Sequence, residues 1–284
     1  MLLISMTIAK AFAPSHITGF FVPVMRERAV ESGSLGAGVC LEDGVVAEVA
    51  LQDETRVTME GEPFRSAPLV DALLELTSEP LWVDLHLDAP LGAGFGASGA
   101  SILAALSAAN HMLGLSLTCN EIATMAHRAE VVGRTGLGDV AAQVTGGVVL
   151  RIKEGIPPHG RVVHIPTKSV PVSWACFGEI STAAVLENVA VRKRILRAGR
   201  SCLKKLLDRP TLENFMLESR RFTEEVGLAG ESVVDAIETA EASGVVAAQA
   251  MLGDTVFAIG ENLFSEFENS GTSQINHTGV VLLK

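Results

Sequence analysis

At 284 residues, 48% apolar and 19% charged, the chain is long and apolar enough to bury a core, which excludes an intrinsically disordered segment. Its 33 acidic residues against 22 basic ones leave a net charge of −11, which excludes nucleic acid as the main partner. Nucleotides stay open, because a local field and a divalent cation can serve their phosphates. Cys40, Cys119, Cys176 and Cys202 stand far apart with no Cys-x-x-Cys, so neither a zinc centre nor a disulfide framework is expected and a reducing compartment fits. Met1–Met6 lacks a basic n-region, and no apolar run approaches the ~20 residues of a membrane span. These readings predict a cytoplasmic protein with no membrane partner.

Residues 7–13 read as a short strand that ends in a loop punctuated by Pro14 and Gly19. Ser15-His16-Ile17-Thr18 sets polar residues between apolar segments, either as a capped helix start with a core histidine or as a ligand contact. The glycine-rich stretch Gly33–Gly38 leads into Val39-Cys40-Leu41, and Glu42-Asp43-Gly44 predicts a hairpin turn before Val45–Val49. Ser34 is a turn residue or a contact where backbone comes close to a ligand. A helix is predicted over 69–76 and a strand over Leu81–Leu87. That strand enters Pro90–Ser101, where Gly92, Gly94 and Gly96 alternate before an Ala- and Leu-rich helix at roughly 98–113.

A second helix is predicted over Asn120–Val132, capped by Thr118 or Asn120, with His127 and Glu130 on one face. The glycine-rich Gly133–Gly138 then delivers Asp139 to a helix start, where a plain capping role would also explain it. Gly146–Arg151 reads as a turn and a strand ending in a cation. Gly155, Pro157, Pro158 and Gly160 mark the best domain junction, dividing the chain into 1–155 and 156–284. A strand over Val172–Phe177 precedes a helical pattern over Ala183–Asp208 that carries Arg192, Lys193, Arg194, Arg197, Arg200, Lys204 and Lys205. Those cations read as a solvated face, with an anion site as the alternative. Helices are predicted at Leu212–Val226 and Ser232–Ala242, a helix turning into a strand at 245–259, a short helix at 261–270 and a last strand at 280–283.

A glycine loop that opens a helix presents bare N–H groups and the positive end of the helix dipole, which is a phosphate cradle. An ordinary turn before a buried, Ala-rich helix is the other reading. The loop is not a Walker A, since no Gly-Lys-Ser/Thr follows, nor a Rossmann fingerprint. Ser98 can give a hydroxyl and Glu130 a carboxylate to Mg²⁺, while Asp139 can orient or deprotonate an alcohol. Together these are the parts that phosphoryl transfer requires.

At this point the chain resembles the GHMP kinase superfamily. Pro90–Ala100 is similar to that group's loop Pro-x-x-x-Gly-Leu-Gly-Ser-Ser-Ala, with Phe95 for Leu and Ala97-Ser98-Gly99 for Ser-Ser-Ala. Glu130 and Asp139 match its magnesium glutamate and catalytic aspartate, and Ala250–Ala258 resembles its carboxy-terminal glycine motif. Within the group, Ala13–Phe21, Gly33–Gly38 and Thr135–Ala141 are most similar to the archaeal pantoate kinase family.

The resemblance implies an α+β fold with a ribosomal-S5-like amino-terminal domain and a ferredoxin-like carboxy-terminal domain. It implies a homodimer that uses ATP and Mg²⁺ to phosphorylate the 4-hydroxyl of pantoate, a small hydroxy acid, on a route to coenzyme A. It assigns Pro90, Gly92, Gly94, Gly96, Ala97, Ser98 and Gly99 to ATP, Ser98 and Glu130 to the metal, and Asp139 to catalysis. Ser34, His127 and Arg151 fall on the acceptor side, with His16 and Arg134 in reserve. Two departures matter. His16 stands where many members carry Lys, and Asp254 brings an acid beside the phosphates, so it is expected to turn outward. Two alternatives stay open: a kinase for a homoserine- or mevalonate-type alcohol, and a catalytically silent sensor of ATP or a metabolite.

Overall fold

The computed structural model describes residues 8–180, 185 and 187–284. Thr7, expected to open the first strand, and Ala183, expected to open the basic helix, lie outside them.

Strand β1 runs unbroken over Ala9–Val24 and β2 over Gly33–Leu51. The loop expected at Pro14–Gly19 and the turn expected at Glu42–Gly44 are both corrected to strand. The two pair antiparallel, with register shifts at Pro14/Ser15 and between Thr18 and Phe20. Pro14 has no N–H to give and falls at the first shift. Ser15 pairs with Leu41 and Pro14 with Gly44, so Glu42 and Asp43 are extra residues of a bulge. The bulge lets β2 change partner. Before it, Gly36–Val39 pair with β6 (Val148–Lys153); after it, Val45–Leu51 pair with β5 (Leu81–Leu87).

Strands β3 (Arg56–Met59) and β4 (Glu62–Pro63) finish one edge, and β7 (Arg161–Ile165) pairs with β6. Residues 154–160, expected to join two domains at 155/156, instead turn between two strands of one sheet. The His159 and Gly160 N–H groups close that turn on the Ile156 carbonyl. The chain passes to its second sheet at residues 166–170.

Helix α2 (Ala97–Leu113) lies across β1 and β2, with α1 (Ala67–Leu76) and α3 (Cys119–Gly133) packed against it. It is buried along most of its length, which is why small Ala residues surround it rather than one apolar stripe. Thr118 caps α3 in a reciprocal box with Glu121.

The second sheet holds β8 (Pro171–Glu179), β9 (Ala247–Gln249), β10 (Gly253–Ile259) and β11 (Ser270–Gln274), all antiparallel in the order β11-β8-β10-β9. After the short α4 (Asp139–Gln143), the long helices among the described residues are α5 (Val189–Asp208), α6 (Leu212–Val226) and α7 (Glu231–Ala242). Both α5 and α6 pack on β1, and Phe20, Phe21, Phe215, Phe222 and Phe257 join the two halves in one core. On α5, Ile195, Ala198, Cys202 and Leu206 face that core while Arg192, Lys193, Arg197, Arg200 and Lys204 are exposed; Lys205 and Arg194, also expected on the solvated face, are half-buried, and Arg194 Nε donates to the Val226 carbonyl at 2.8 Å.

Two helical expectations are corrected. Residues 247–249 are strand, because ladder bonds to β10 outweigh the helix preference of an Ala run. Residues 261–269 are turns, with positive φ at Gly260 and Asn262, and Ser270 already belongs to β11. The last strand, β12 (Val281–Leu283), returns to pair with β1. The architecture is the α+β class expected, one eight-stranded and one four-stranded sheet. Among the described residues, no helix is long and apolar enough to cross a membrane.

Candidate active site

The loop between β5 and α2 is built on three left-handed residues, Gly92, Gly94 and Gly96, with φ of 76°, 90° and 65°. Phe95 pins it. Its ring is buried edge-on to Trp174 of β8, centroids 5.0 Å apart. The loop carbonyls are held from behind. Ala93 accepts from Thr255 Oγ1 at 2.7 Å, Phe95 from the His16 N–H at 2.8 Å, and Gly96 from Gln143 Nε2 at 2.9 Å. Gly96 is the N-cap of α2 and has no capping side chain, so the first N–H groups of the helix remain for a ligand. Gly92, Gly94, Gly96, Ala97 and Ser98 line an outer cavity of about 330 Å³; Pro90 and Gly99 do not reach it.

The turn joining β9 to β10 backs this loop. A Cβ on Gly253 would lie 2.1 Å from the Ala93 carbonyl oxygen. Gly253→Ala is therefore expected to destabilise the protein by about 1–3 kcal/mol, read as a lower Tm. An unchanged Tm would mean that loop and turn do not touch. Asp254 follows, half-buried, with its carboxylate against Gly230 at the start of α7; it lines neither cavity, but its Oδ1 is buried rather than turned out to water.

Glu130 sits inside α3 with 2% exposure. Its Oε1 accepts from Ser98 Oγ and from Thr135 Oγ1, both at 2.5 Å. Burial pushes this carboxyl up to about 7 against those two hydrogen bonds, and the charge of Asp139 adds to the rise. A buried carboxylate with two hydroxyls beside it is a donor set that suits a hard cation completed by water and a ligand's oxygens. Among the described residues no three His, Cys, Asp or Glu converge on a metal position, so the protein alone does not complete a cage.

Asp139 opens α4 and keeps 22% of its side chain accessible. Its Oδ1 is 2.7 Å from His16 Nδ1. Burial pushes the Asp139 carboxyl up, but the His16 contact and the Arg151 charge outweigh it and leave it below its ordinary value.

Arg151 reads in the sequence as a cation ending a strand, and the resemblance assigns it to the acceptor side. It lies mid-strand in β6 and is 2% exposed, because β2 and β7 flank it, its partner on β2 is the side-chain-free Gly36, and its side chain reaches His16 and Thr18 of β1. Its Nη1 contacts His16 Nε2 at 3.4 Å and its Nη2 donates to Thr18 Oγ1 at 3.3 Å, while its Nε has no partner among the described residues. Arg151, Ser34, Thr18 and Asp139 line a small inner cavity of about 50 Å³ that adjoins the outer one through Thr135, Asp139, Met251 and Leu252.

The structure thus brings together Ser98, Glu130, Asp139, His16, Arg151 and Ser34. It does not bring His127 to either cavity: the ring is buried and its Nε2–H donates to the Ser32 carbonyl at 2.9 Å. Helical spacing put His127 on the face of Glu130, but that face spans both the cleft and the turn before β2. Arg134 is exposed and lines the outer cavity. Sequence reasoning missed Thr18, Thr135, Gln143, Met251 and Leu252 as site residues. Thr135 carried a signal, lying in the glycine-rich run between the two carboxylates; Met251 and Leu252 carried one only through the resemblance of Ala250–Ala258 to the carboxy-terminal glycine motif.

Comparison with known proteins gives a consistent result. Residues 67–147 match the family model described as GHMP kinases N terminal domain. The chain is 36% identical to the pantoate kinase of Thermococcus kodakarensis, covering 88% of this chain and 87% of that protein. It is 34% identical to the pantoate kinase of Methanocaldococcus jannaschii, covering 87% and 91% respectively. A solved structure described as a phosphotransferase related to CoA biosynthesis pathway superposes with a TM-score of 0.87 at 28% identity, covering 98% of this chain and 99% of that one.

Proposed function

Since the chain belongs to the pantoate kinases, a family of GHMP kinases, we propose that it transfers the terminal phosphoryl group of ATP to the 4-hydroxyl of pantoate. The product is 4-phosphopantoate, on a route to coenzyme A. The observation that carries the acceptor side is Arg151, a buried cation that lines the cavity also holding Asp139 and whose Nε has no partner among the described residues. An unmet buried cationic donor favours an anionic acceptor. Pantoate has a carboxylate three bonds from the carbon that bears the reacting hydroxyl, so a small cavity can hold both ends. Its 2-hydroxyl suits Ser34. The 2-ammonium of homoserine would meet Arg151 and hydroxyls, with no carboxylate to pair it except the base, and mevalonate is longer.

In this reading Pro90, Gly92, Gly94, Gly96, Ala97, Ser98 and Gly99 form the nucleotide loop, with the tied-back carbonyls leaving N–H groups toward the polyphosphate. Glu130 and Ser98 Oγ would hold Mg²⁺, which when bound neutralises phosphate charge. Thr135 orients Glu130. Asp139 takes the proton of the 4-hydroxyl as its oxygen bonds to phosphorus and the bond to ADP breaks. His127 acts indirectly, by fixing Ser32 two residues before Ser34.

The test is ADP release with pantoate, homoserine and mevalonate offered separately. Turnover with pantoate is expected; turnover with homoserine or mevalonate and none with pantoate overturns the reading, and no turnover with any favours a silent sensor. Arg151→Ala is expected to raise KM for pantoate about 100-fold, as loss of a buried charged contact does, with KM for ATP within about threefold. Equal rises in both constants would remove Arg151 from the acceptor site.

A further inference from the structure

His16 occupies the position where a lysine is common in the superfamily, and its surroundings give it a property a lysine lacks. The ring is fully buried and both nitrogens are engaged, Nδ1 with Asp139 and Nε2 with Arg151. An arginine can only donate. The neutral tautomer that satisfies both contacts therefore has Nε2 accepting from Arg151 and Nδ1–H donating to Asp139. Burial disfavours the charged ring, and the Arg151 charge acts in the same sense, against the pull of Asp139. A Cβ on Gly38 would lie 2.3 Å from Nε2, so β2 leaves room for this ring and little else. The other titratable group packed here is Cys40 of β2, whose thiol burial keeps protonated. Glu130 of α3 faces Asp139 from the other side through charge alone.

We propose that His16 is a positioning residue that couples Arg151 to Asp139, so that the base gains proton affinity when Arg151 engages the acceptor's carboxylate. This rests on the pantoate reading above. With no acceptor, the guanidinium polarises the ring toward Asp139 and stabilises its carboxylate, which is the wrong property for a base. A carboxylate held by the guanidinium where Arg151 lines the cavity offsets that charge and weakens the Nη1 contact to His16. Asp139 then becomes more basic as the hydroxyl arrives. No proton leaves His16; the only proton that moves is that of the hydroxyl, onto Asp139.

The test compares the pH profile of kcat for pantoate and for its carboxamide, which keeps the 4-hydroxyl, in the wild type and in His16→Asn. Asparagine retains a donor to Asp139 but places no acceptor at Nε2. In the wild type the acid limb is expected roughly one pH unit higher with pantoate than with the amide, and in His16→Asn the two limbs should coincide. A second readout needs neither turnover nor the variant's activity: ¹⁵N NMR of histidine-labelled protein, with His16 assigned by its loss in His16→Asn. The nucleotide-free protein should show the Nδ1–H tautomer, and added pantoate should shift Nε2 toward a weaker hydrogen bond. Coincident limbs in the wild type, the Nε2–H tautomer, or an Nε2 signal indifferent to pantoate would each overturn the coupling while leaving the kinase intact. Absence of pantoate turnover at every pH would instead remove the reading on which it rests.

Discussion

Asp139→Asn is expected to lower kcat about 1,000-fold while leaving KM for ATP within about threefold. Asparagine fits the same space and still accepts from His16 Nδ1–H, so the α4 start and the glycine loop keep their geometry. It cannot take a proton from an attacking hydroxyl. Because the loss is confined to the chemical step, kcat and kcat/KM should fall together. The substitution also has a signature in stability. The Asp139 carboxyl sits below its ordinary value in the folded protein, held there by His16 and Arg151 against its burial. Its ionised form therefore adds stability above the ordinary carboxylate range, and that contribution fades as pH falls through the lowered folded value. The variant should have a lower Tm than the wild type at neutral pH, and the gap should close in acid. Near-normal turnover would reduce Asp139 to a helix-start residue with no chemical role.

The parts of this site that were legible in the sequence are the ones encoded locally. Ser98 follows three alternating glycines and opens a helix. Glu130 and Asp139 bracket a glycine run that cannot continue a helix. Those features survive in the structure because backbone conformation and helix propensity decide them within a dozen residues. His16 and Thr18 were visible as polar residues in an apolar stretch, yet that stretch was read as a loop. Pro14 and Gly19 look like loop punctuation, and only the pairing with β2, bulge included, keeps the chain extended.

Arg151 shows the limit more sharply. Nothing near it in sequence distinguishes a buried cation from a solvated strand end, since the atoms that hold it belong to residues more than 130 positions earlier. Met251 and Leu252 lie in the segment that resembles the carboxy-terminal glycine motif, but they reach the cleft because the β9–β10 turn backs the glycine loop and the Met251 N–H meets the Thr18 carbonyl. The Ala run before them had helical propensity that the β10 ladder overrode.

Glu130→Gln is expected to separate the cost of this site to the fold from its use. In the protein without a cation, Glu130 is buried, shares one oxygen between two hydroxyls and has its carboxyl pushed up to about 7. A neutral amide of the same shape suits that environment at least as well as a carboxylate, because it carries no charge to desolvate. The Tm of the metal-free variant should therefore equal or exceed that of the wild type at pH 7.5. The opposite holds once Mg²⁺ and ATP are present. The amide oxygen is a far weaker ligand for a hard cation, and the negative charge that would offset Mg²⁺ beside the glycine loop is gone. The rise in Tm that Mg-ATP gives the wild type should shrink to that given by ATP alone. Phosphoryl transfer should fall about 1,000-fold, in line with losing a major electrostatic contribution to the transition state. A variant that is both less stable without the cation and still stabilised by Mg-ATP would make Glu130 a structural carboxylate, and the cation would have to be sought elsewhere in the cleft.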